Sequence, residues 1–263
     1  MSSSNTGIEW TDKTWNPTTG CSKVSSGCRY CYAEAITERF PKSFPQGFKL
    51  TLHPDRLEQP KKWRTPSRIF VNSMSDLFHE DIPFEYLQEI FAVMRDTPWH
   101  IYQILTKRDK NLAKLASNLE WTDNIWVGVS VESQEHTSRV DSLRQVPSKV
   151  RFLSCEPLLS SLSLNLEGID WVIVGGESGY QHRPIEIEWV KNILQQCQES
   201  DVAFFFKQWG GNHSKAGGRI LEEKIWEEMP DAWDIHINRW QNKKISNLKR
   251  PKPLKQKHLV ASN

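Results

Sequence analysis

Three cysteines, Cys21, Cys28 and Cys31, fall within eleven residues in the stretch GCSKVSSGCRYCYAE, residues 20–34. Three thiolates on one loop can hold three irons of a [4Fe-4S] cluster and leave the fourth iron free for a small molecule, whereas four cysteines close the cluster for electron transfer. Zinc is the competing metal. It wants four ligands, usually in two pairs, and its fourth ligand here would be a distant histidine such as His53, His79, His182 or His213, none at a typical ligand spacing. Unliganded thiols are the remaining option. Cys197 falls in a helical pattern and reads as a core thiol; Cys155 falls at a strand end and is expected to face the site.

Charged residues follow the predicted strands closely. Asp76, Lys107, Glu132, Glu156, Glu177 and Lys207 each lie just past a short apolar run. Charges at strand ends are ordinary taken singly, but six together suggest a site, because β/α barrels gather function at the carboxyl ends of their strands.

The runs themselves are Arg68–Asn72, His100–Leu105, Asn124–Val129, Val150–Leu153, Asp170–Val174 and Ala203–Phe206. They are β-branched and aromatic and apolar on both faces, as strands of a buried parallel sheet are. A seventh strand is expected near Lys13–Asn16. Helical periodicity falls between them, over Phe84–Arg95, Asp109–Asn118, Glu132–Arg144 and Glu186–Gln198, while residues 158–167 are too short and serine-rich for one. Successive β-α units imply right-handed crossovers. The expected fold is α/β, a partial or full TIM-type (β/α)6-7 barrel over residues 1–211 carrying the cysteine loop near its start, with an open doubly wound sheet as the alternative. Residues 41–67 read as a long proline-rich, basic-aromatic loop with Lys61, Lys62, Trp63, Arg64 and Arg68 at its end. Residues 212–263 read as an appendage, with an acidic helix over Leu221–Met229 and then a basic, flexible tail.

The bulk numbers exclude several classes. In 263 residues, 38% are hydrophobic and 25% charged, so a packed domain is expected. There is no run of 18 apolar residues and no secretory leader at Met1–Thr6, so a cytoplasmic protein without a membrane anchor is expected. Five cysteines, an odd number, make a poor disulfide framework. From Ile235 onward there is no acidic residue, but there are eight basic ones: Arg239, Lys243, Lys244, Lys249, Arg250, Lys252, Lys255 and Lys257. Taking these eight from 34 Lys and Arg leaves 26 against 32 acidic residues, so the body is near −6. A basic tail of this kind suggests nucleic acid as a partner.

The Cys28-Arg-Tyr-Cys31 half, with an aromatic before the last cysteine, resembles the second half of the radical S-adenosylmethionine signature. That signature usually has three residues between the first two cysteines; this chain has six. The chain also resembles an uncharacterised family of phage and bacterial three-cysteine-motif proteins over roughly residues 7–211. The resemblance lies in TWNPTTGC (14–21), CRYCYAE (28–34), FVNSMSDLFHE (70–80), LTKR (105–108), VGVSVE (127–132), FLSCEPLL (152–159), VIVGGESG (172–179) and FFKQWG (205–210).

The radical-enzyme resemblance implies a cluster and S-adenosylmethionine as cofactors, a separate electron donor, and a 5′-deoxyadenosyl radical that takes hydrogen from a substrate. It implies that Gly175, Gly176 and Glu177 meet the methionine end of the cofactor, Ser130 and Glu132 its ribose, and that Tyr30 is cofactor-binding. Asp76, Lys107, Cys155 and Glu156 are left as substrate-side candidates. A nucleic acid or nucleotide is the candidate substrate. Two other classes compete: a non-enzymatic iron–sulfur or zinc sensor or partner subunit, and a barrel hydrolase or lyase working through Asp76, Glu132, Glu156 and Glu177.

Overall fold

The structure, a computed structural model, describes residues 6–213 and 215–242. In chain order the elements are β1 (Lys13–Trp15), β2 (Thr18–Thr19), α1 (Tyr32–Arg39), β3 (Thr51–Leu52), α2 (Gln59–Lys62), β4 (Arg68–Val71), α3 (Phe84–Asp96), β5 (Ile101–Thr106), α4 (Asp109–Ala116), β6 (Ile125–Ser130), α5 (Arg139–Arg144), β7 (Arg151–Cys155), β8 (Trp171–Gly175), α6 (Ile187–Glu199), β9 (Ala203–Gln208), β10 (Ile220–Leu221), β11 (Lys224–Ile225) and α7 (Ala232–Asn242). The seventh strand expected near Lys13 is β1.

Seven strands form one sheet in the order β1-β4-β5-β6-β7-β8-β9, every neighbouring pair parallel. The order follows the chain without reversal, so there is no switch point of the doubly wound kind. The sheet is curled into a partial barrel. The ring of Trp10 lies 4.7 Å from Phe70 on β4 and 6.2 Å from Trp171 on β8. The rings of those two strand residues are thus within about 11 Å of each other, whereas backbones four strand spacings apart in a flat sheet lie about 19 Å apart.

Strand alternation divides the core in two. Outward residues Ile69, Val71, Ile104, Val127, Val129, Leu153, Val172, Val174, Phe204 and Phe206 pack with the helices, chiefly through Leu87, Ile90 and Met94 of α3 and Val190, Ile193 and Leu194 of α6. Inward residues Phe70, Trp126, Phe152, Trp171, Ile173 and Phe205 form a second cluster around Trp10. The free edge of β9 is covered by residues 226–228: Phe206 N donates to Trp226 O at 2.9 Å and Glu228 N to Phe204 O at 3.1 Å. Covering an edge in this way removes a template for unwanted pairing.

Three expectations change in detail. The stretch 132–144 holds a 3-10 turn at Gln134–His136 and only the six-residue α5, not one helix. Residues 221–229 are not helical. β10 and β11 form a hairpin whose two turn residues, Glu222 and Glu223, both have positive φ, 51° and 62°, the backbone that a two-residue hairpin loop demands. The basic tail begins inside α7, where Trp240 is buried; Lys243, Lys244, Lys249, Arg250, Lys252, Lys255 and Lys257 lie outside the described residues. Leu221 belongs to the main core, and Trp171 Nε1 donates to Glu228 O at 2.9 Å, so the described segment after Gly211 is built onto the sheet. Among the described residues no helix is long and apolar enough to cross a membrane.

Candidate metal centre at the strand ends

Gly20 delivers the first cysteine. Its φ is +83°, and a Cβ there would stand 2.1 Å from Lys49 O, so only glycine fits. Its N–H donates to Met74 O at 2.9 Å and its carbonyl accepts from Ser75 Oγ at 2.6 Å, which seats Cys21 beside the loop after β4. Cys28 ends the 3-10 turn Ser26–Cys28, and Cys31, in extended backbone, precedes α1. All five cysteines are unpaired; these three are partly exposed.

The loop carrying the thiols lies across the carboxyl ends of three strands. Arg108, after β5, donates from Nη2 to Ser22 Oγ at 2.8 Å and Ser22 O at 3.1 Å, and lies 3.6 Å from Cys21 Sγ. Glu132, after β6, accepts from Ser25 Oγ at 2.6 Å. Arg183, after β8, donates to Ser26 O at 3.1 Å. Ser25 Oγ is 3.7 Å from Cys28 Sγ. Lys23, bound to Glu34 at 2.7 Å, lies within the field of both Cys28 and Cys31. Burial, followed by the charge of Asp76, pushes the Cys21 thiol up to about 11, with Arg108 opposing.

The strand-end carboxylates are each already matched with donors. Asp76 accepts from Thr106 Oγ1 at 2.6 Å, Phe78 N at 3.0 Å and Lys107 N at 3.0 Å. Glu132 is fully buried, with Arg139 Nη1 at 2.6 Å on Oε2 and Lys107 Nζ at 3.5 Å from Oε1. Burial alone would push the Glu132 carboxyl up; Lys107, Arg139 and the Ser25 hydroxyl hold it below its ordinary value. Glu156 pairs with Lys207 at 2.5 Å. Glu177 is gripped by Arg183, whose Nη2 donates to Oε1 at 2.5 Å, and whose Nε and backbone N donate to Oε2 at 2.8 and 2.9 Å. A carboxylate-dependent hydrolase works through a carboxyl group free to exchange a proton or through a free pair, and here each carboxylate is already held by a cation or by several donors.

Gly175 ends β8 and Gly176 follows it, both under close packing. A Cβ on Gly176 would stand 2.1 Å from Trp209 O, and one on Gly175 would meet the Glu156 carboxyl carbon at 3.2 Å. Ser130 is buried, and its carbonyl accepts from Arg139 Nη1 at 2.7 Å. Tyr30 lies between two guanidinium groups, Arg29 at 5.3 Å and Arg183 at 5.5 Å. These residues gather at one mouth with the cysteine loop.

Cys155 does not join them. It is fully buried in the helix-facing core, its thiol raised by burial and by the neighbouring Cys197. Alternation decides this: Ser154 points inward, so its successor on β7 points out. Sequence reasoning missed Ser25, Arg108, Arg139 and Arg183. Arg108 stood next to Lys107 and was within reach. Arg139 and Arg183, seven and six residues beyond their carboxylate partners, carry no local signal, because a polar residue on a short helix or loop reads as solvated.

The donor set can be weighed against the metals. Three thiols on one loop suit three corners of a four-iron cluster, each corner taking one thiolate, so the sulfurs need not converge on a point. A single ion needs convergence, and among the described residues no group of three or more His, Cys, Asp or Glu is gathered to hold one. Three of the four nominated histidines have other partners: His53 bonds Thr19 Oγ1, His79 bonds Ser22 Oγ and His182 bonds Gly179 O. The thiol count of this loop fits the three protein-held corners of a four-iron cluster.

Among solved structures, the chain is similar to spore photoproduct lyase complexed with dinucleoside spore photoproduct, with 14% identity, a TM-score of 0.46, and coverage of 92% of this chain and 76% of that one. It is similar to a variant of that enzyme with bound AdoMet and dinucleoside spore photoproduct, at 14% identity and a TM-score of 0.44, covering 71% of this chain and 61% of that one. A further variant with dinucleoside spore photoproduct gives 16% identity, a TM-score of 0.48, and coverage of 75% and 63%. The chain thus spans less than two thirds of the length of two of these three. No curated protein matches the sequence. Residues 5–230 match the family described as protein of unknown function (DUF5131), and the chain belongs to that family.

Proposed function

We propose that Cys21, Cys28 and Cys31 hold three irons of a [4Fe-4S] cluster at the mouth of the partial barrel, and that the fourth iron takes S-adenosylmethionine. The observation that carries this reading is the placement of the three thiols. They share one loop over the carboxyl ends of parallel strands, while Cys155 and Cys197 are sealed in the helix-facing core. When bound, the cluster would supply one-electron reduction, from an external donor, that makes the cofactor a source of hydrogen-abstracting radicals.

The chain's own residues supply position and shelter. Gly175 and Gly176 bring backbone close to the mouth, and Glu177 would share its carboxylate between Arg183 and the ammonium group. Ser130 lies at the end of β6 beneath the loop, where it can meet a ribose. Lys107, Glu156 and Lys207 complete a charged rim for the substrate. Below them the aromatic inner core excludes water.

A nucleic acid or nucleotide is the substrate class the rim suits. Tyr180 is 93% exposed, and Tyr30 is flanked by Arg29 and Arg183. An exposed aromatic face and an arginine-flanked ring are both surfaces on which unpaired bases stack.

The test is anaerobic purification, reconstitution with iron and sulfide, reduction, and EPR with and without S-adenosylmethionine. The expected result is a reduced [4Fe-4S] signal that shifts on adding S-adenosylmethionine and is lost in Cys28→Ala. A cluster indifferent to S-adenosylmethionine would point to a sensor or partner subunit. Zinc with no iron would overturn the reading.

A further inference from the structure

The six residues between Cys21 and Cys28 would ordinarily be a liability for a cluster site. A longer loop has more conformations to lose when its two thiols are fixed. Here the insert is tied at three points. Arg108 holds Ser22, Glu132 holds Ser25, and Arg183 holds the carbonyl of Ser26. These anchors come from three different strand ends, β5, β6 and β8.

The middle anchor is the most constrained. Glu132 Oε1 receives the Ser25 hydroxyl at 2.6 Å, and the loop presses onto the same carboxylate at Gly27, where a Cβ would stand 2.4 Å from Oε1. The other oxygen, Oε2, is held by Arg139 Nη1 at 2.6 Å, and that nitrogen also donates to Ser130 O at 2.7 Å. The backbone is fixed as well, since Glu132 O accepts from Leu159 N at 2.8 Å. A carboxylate held on both oxygens inside the protein is a rigid post, and charge-assisted hydrogen bonds to it are strong.

We infer that Glu132 is a positioning residue: from the end of β6 it fixes the 22–27 insert through Ser25 and Gly27, so that the barrel sets the separation of Cys21 and Cys28. The importance of that separation rests on the cluster reading; the anchoring itself does not. Glu132 thereby acts on the thiols through the loop, and the loop is ordered before any cluster arrives.

The test begins on the full-length apo protein, so that it stands apart from cluster chemistry. Alkylation of each cysteine by iodoacetamide is followed by peptide mass spectrometry, with hydrogen exchange of residues 22–28, in wild type, S25A, S25T and E132Q. We expect Cys28 to alkylate about five- to tenfold faster in S25A and E132Q, and S25T, which keeps the hydroxyl, to return to the wild-type rate. After reconstitution, S25A should give a broadened EPR signal and S25T a wild-type one. Should E132Q fail to fold, S25A against S25T decides. Equal alkylation and exchange in S25A and wild type would overturn the inference. A wild type that takes no cluster would overturn the proposed function and leave the apo result to be judged by itself.

Discussion

The two ends of the same sheet are built from opposite materials. Along β6 the inward residues run Trp126, Gly128, Ser130 and then Glu132; along β7, Phe152, Ser154 and Glu156; along β8, Trp171, Ile173, Gly175 and Glu177. Each series starts with bulk, thins to glycine or serine, and ends in a carboxylate. The floor is therefore a packed aromatic cluster, and the mouth is charged and covered by the cysteine loop. Space and charge at the mouth require rigidity elsewhere, and the floor supplies it.

That contrast predicts the largest effect at the floor. Trp171→Ala, fully buried against Trp10, Phe152 and Phe205, should cost about 3–5 kcal/mol in denaturant unfolding. A loss under 1 kcal/mol would mean that the floor does not carry the fold.

Acid should separate the two ends. His100, just before β5 and fully buried, is held down to about 4, first by burial. The unfolded chain then binds the proton more readily than the native one. Its contribution is complete above pH 6.5 and is lost as pH falls towards 4, up to about 3 kcal/mol in all. Glu132 is depressed below its ordinary value of 4.5, so its contribution is present above that pH and fades only below it. Wild type should lose stability in both windows, and His100→Gln should flatten only the upper one; an unchanged upper window in His100→Gln would remove His100 from the account.

Smaller effects belong to the mouth. Gly176→Ala, where the new carbon meets Trp209 O, should cost about 1–3 kcal/mol by thermal unfolding. Tyr180→Ala should change stability by less than about 0.5 kcal/mol and weaken salt-dependent binding of single-stranded nucleic acid, read by fluorescence anisotropy. Unchanged binding would argue against the rim as its seat.

The strands were legible because both of their faces are buried, which leaves short runs of apolar residues with nothing to interrupt them. The long helices α3 and α6 were legible by periodicity. The hairpin at 220–225 was not, since four strand residues and two glutamates resemble an acidic helix until the turn backbone is known. At the site, the cysteines declared themselves by spacing. Cys155 misled because a strand end marks a level in the barrel without saying which face a side chain takes. The arginines were silent because ion pairing is a property of the folded surface, and Arg139 reaches Glu132 only because α5 doubles back along β6.

A cross-tie on the floor has a bearing on how the molecule can be handled. Arg68 bonds Asp12 through Nη2 at 2.7 Å and stacks on Trp233 at 5.1 Å, while His236 Nε2 meets Trp99 O at 3.1 Å. The first strand's approach and α7 are thus moored at the pole opposite the thiols. A fluorophore, affinity handle or surface linker joined near either moored segment would stand a barrel's length from the cysteines, leaving the mouth free for gases, reductants and bulky substrates during measurement.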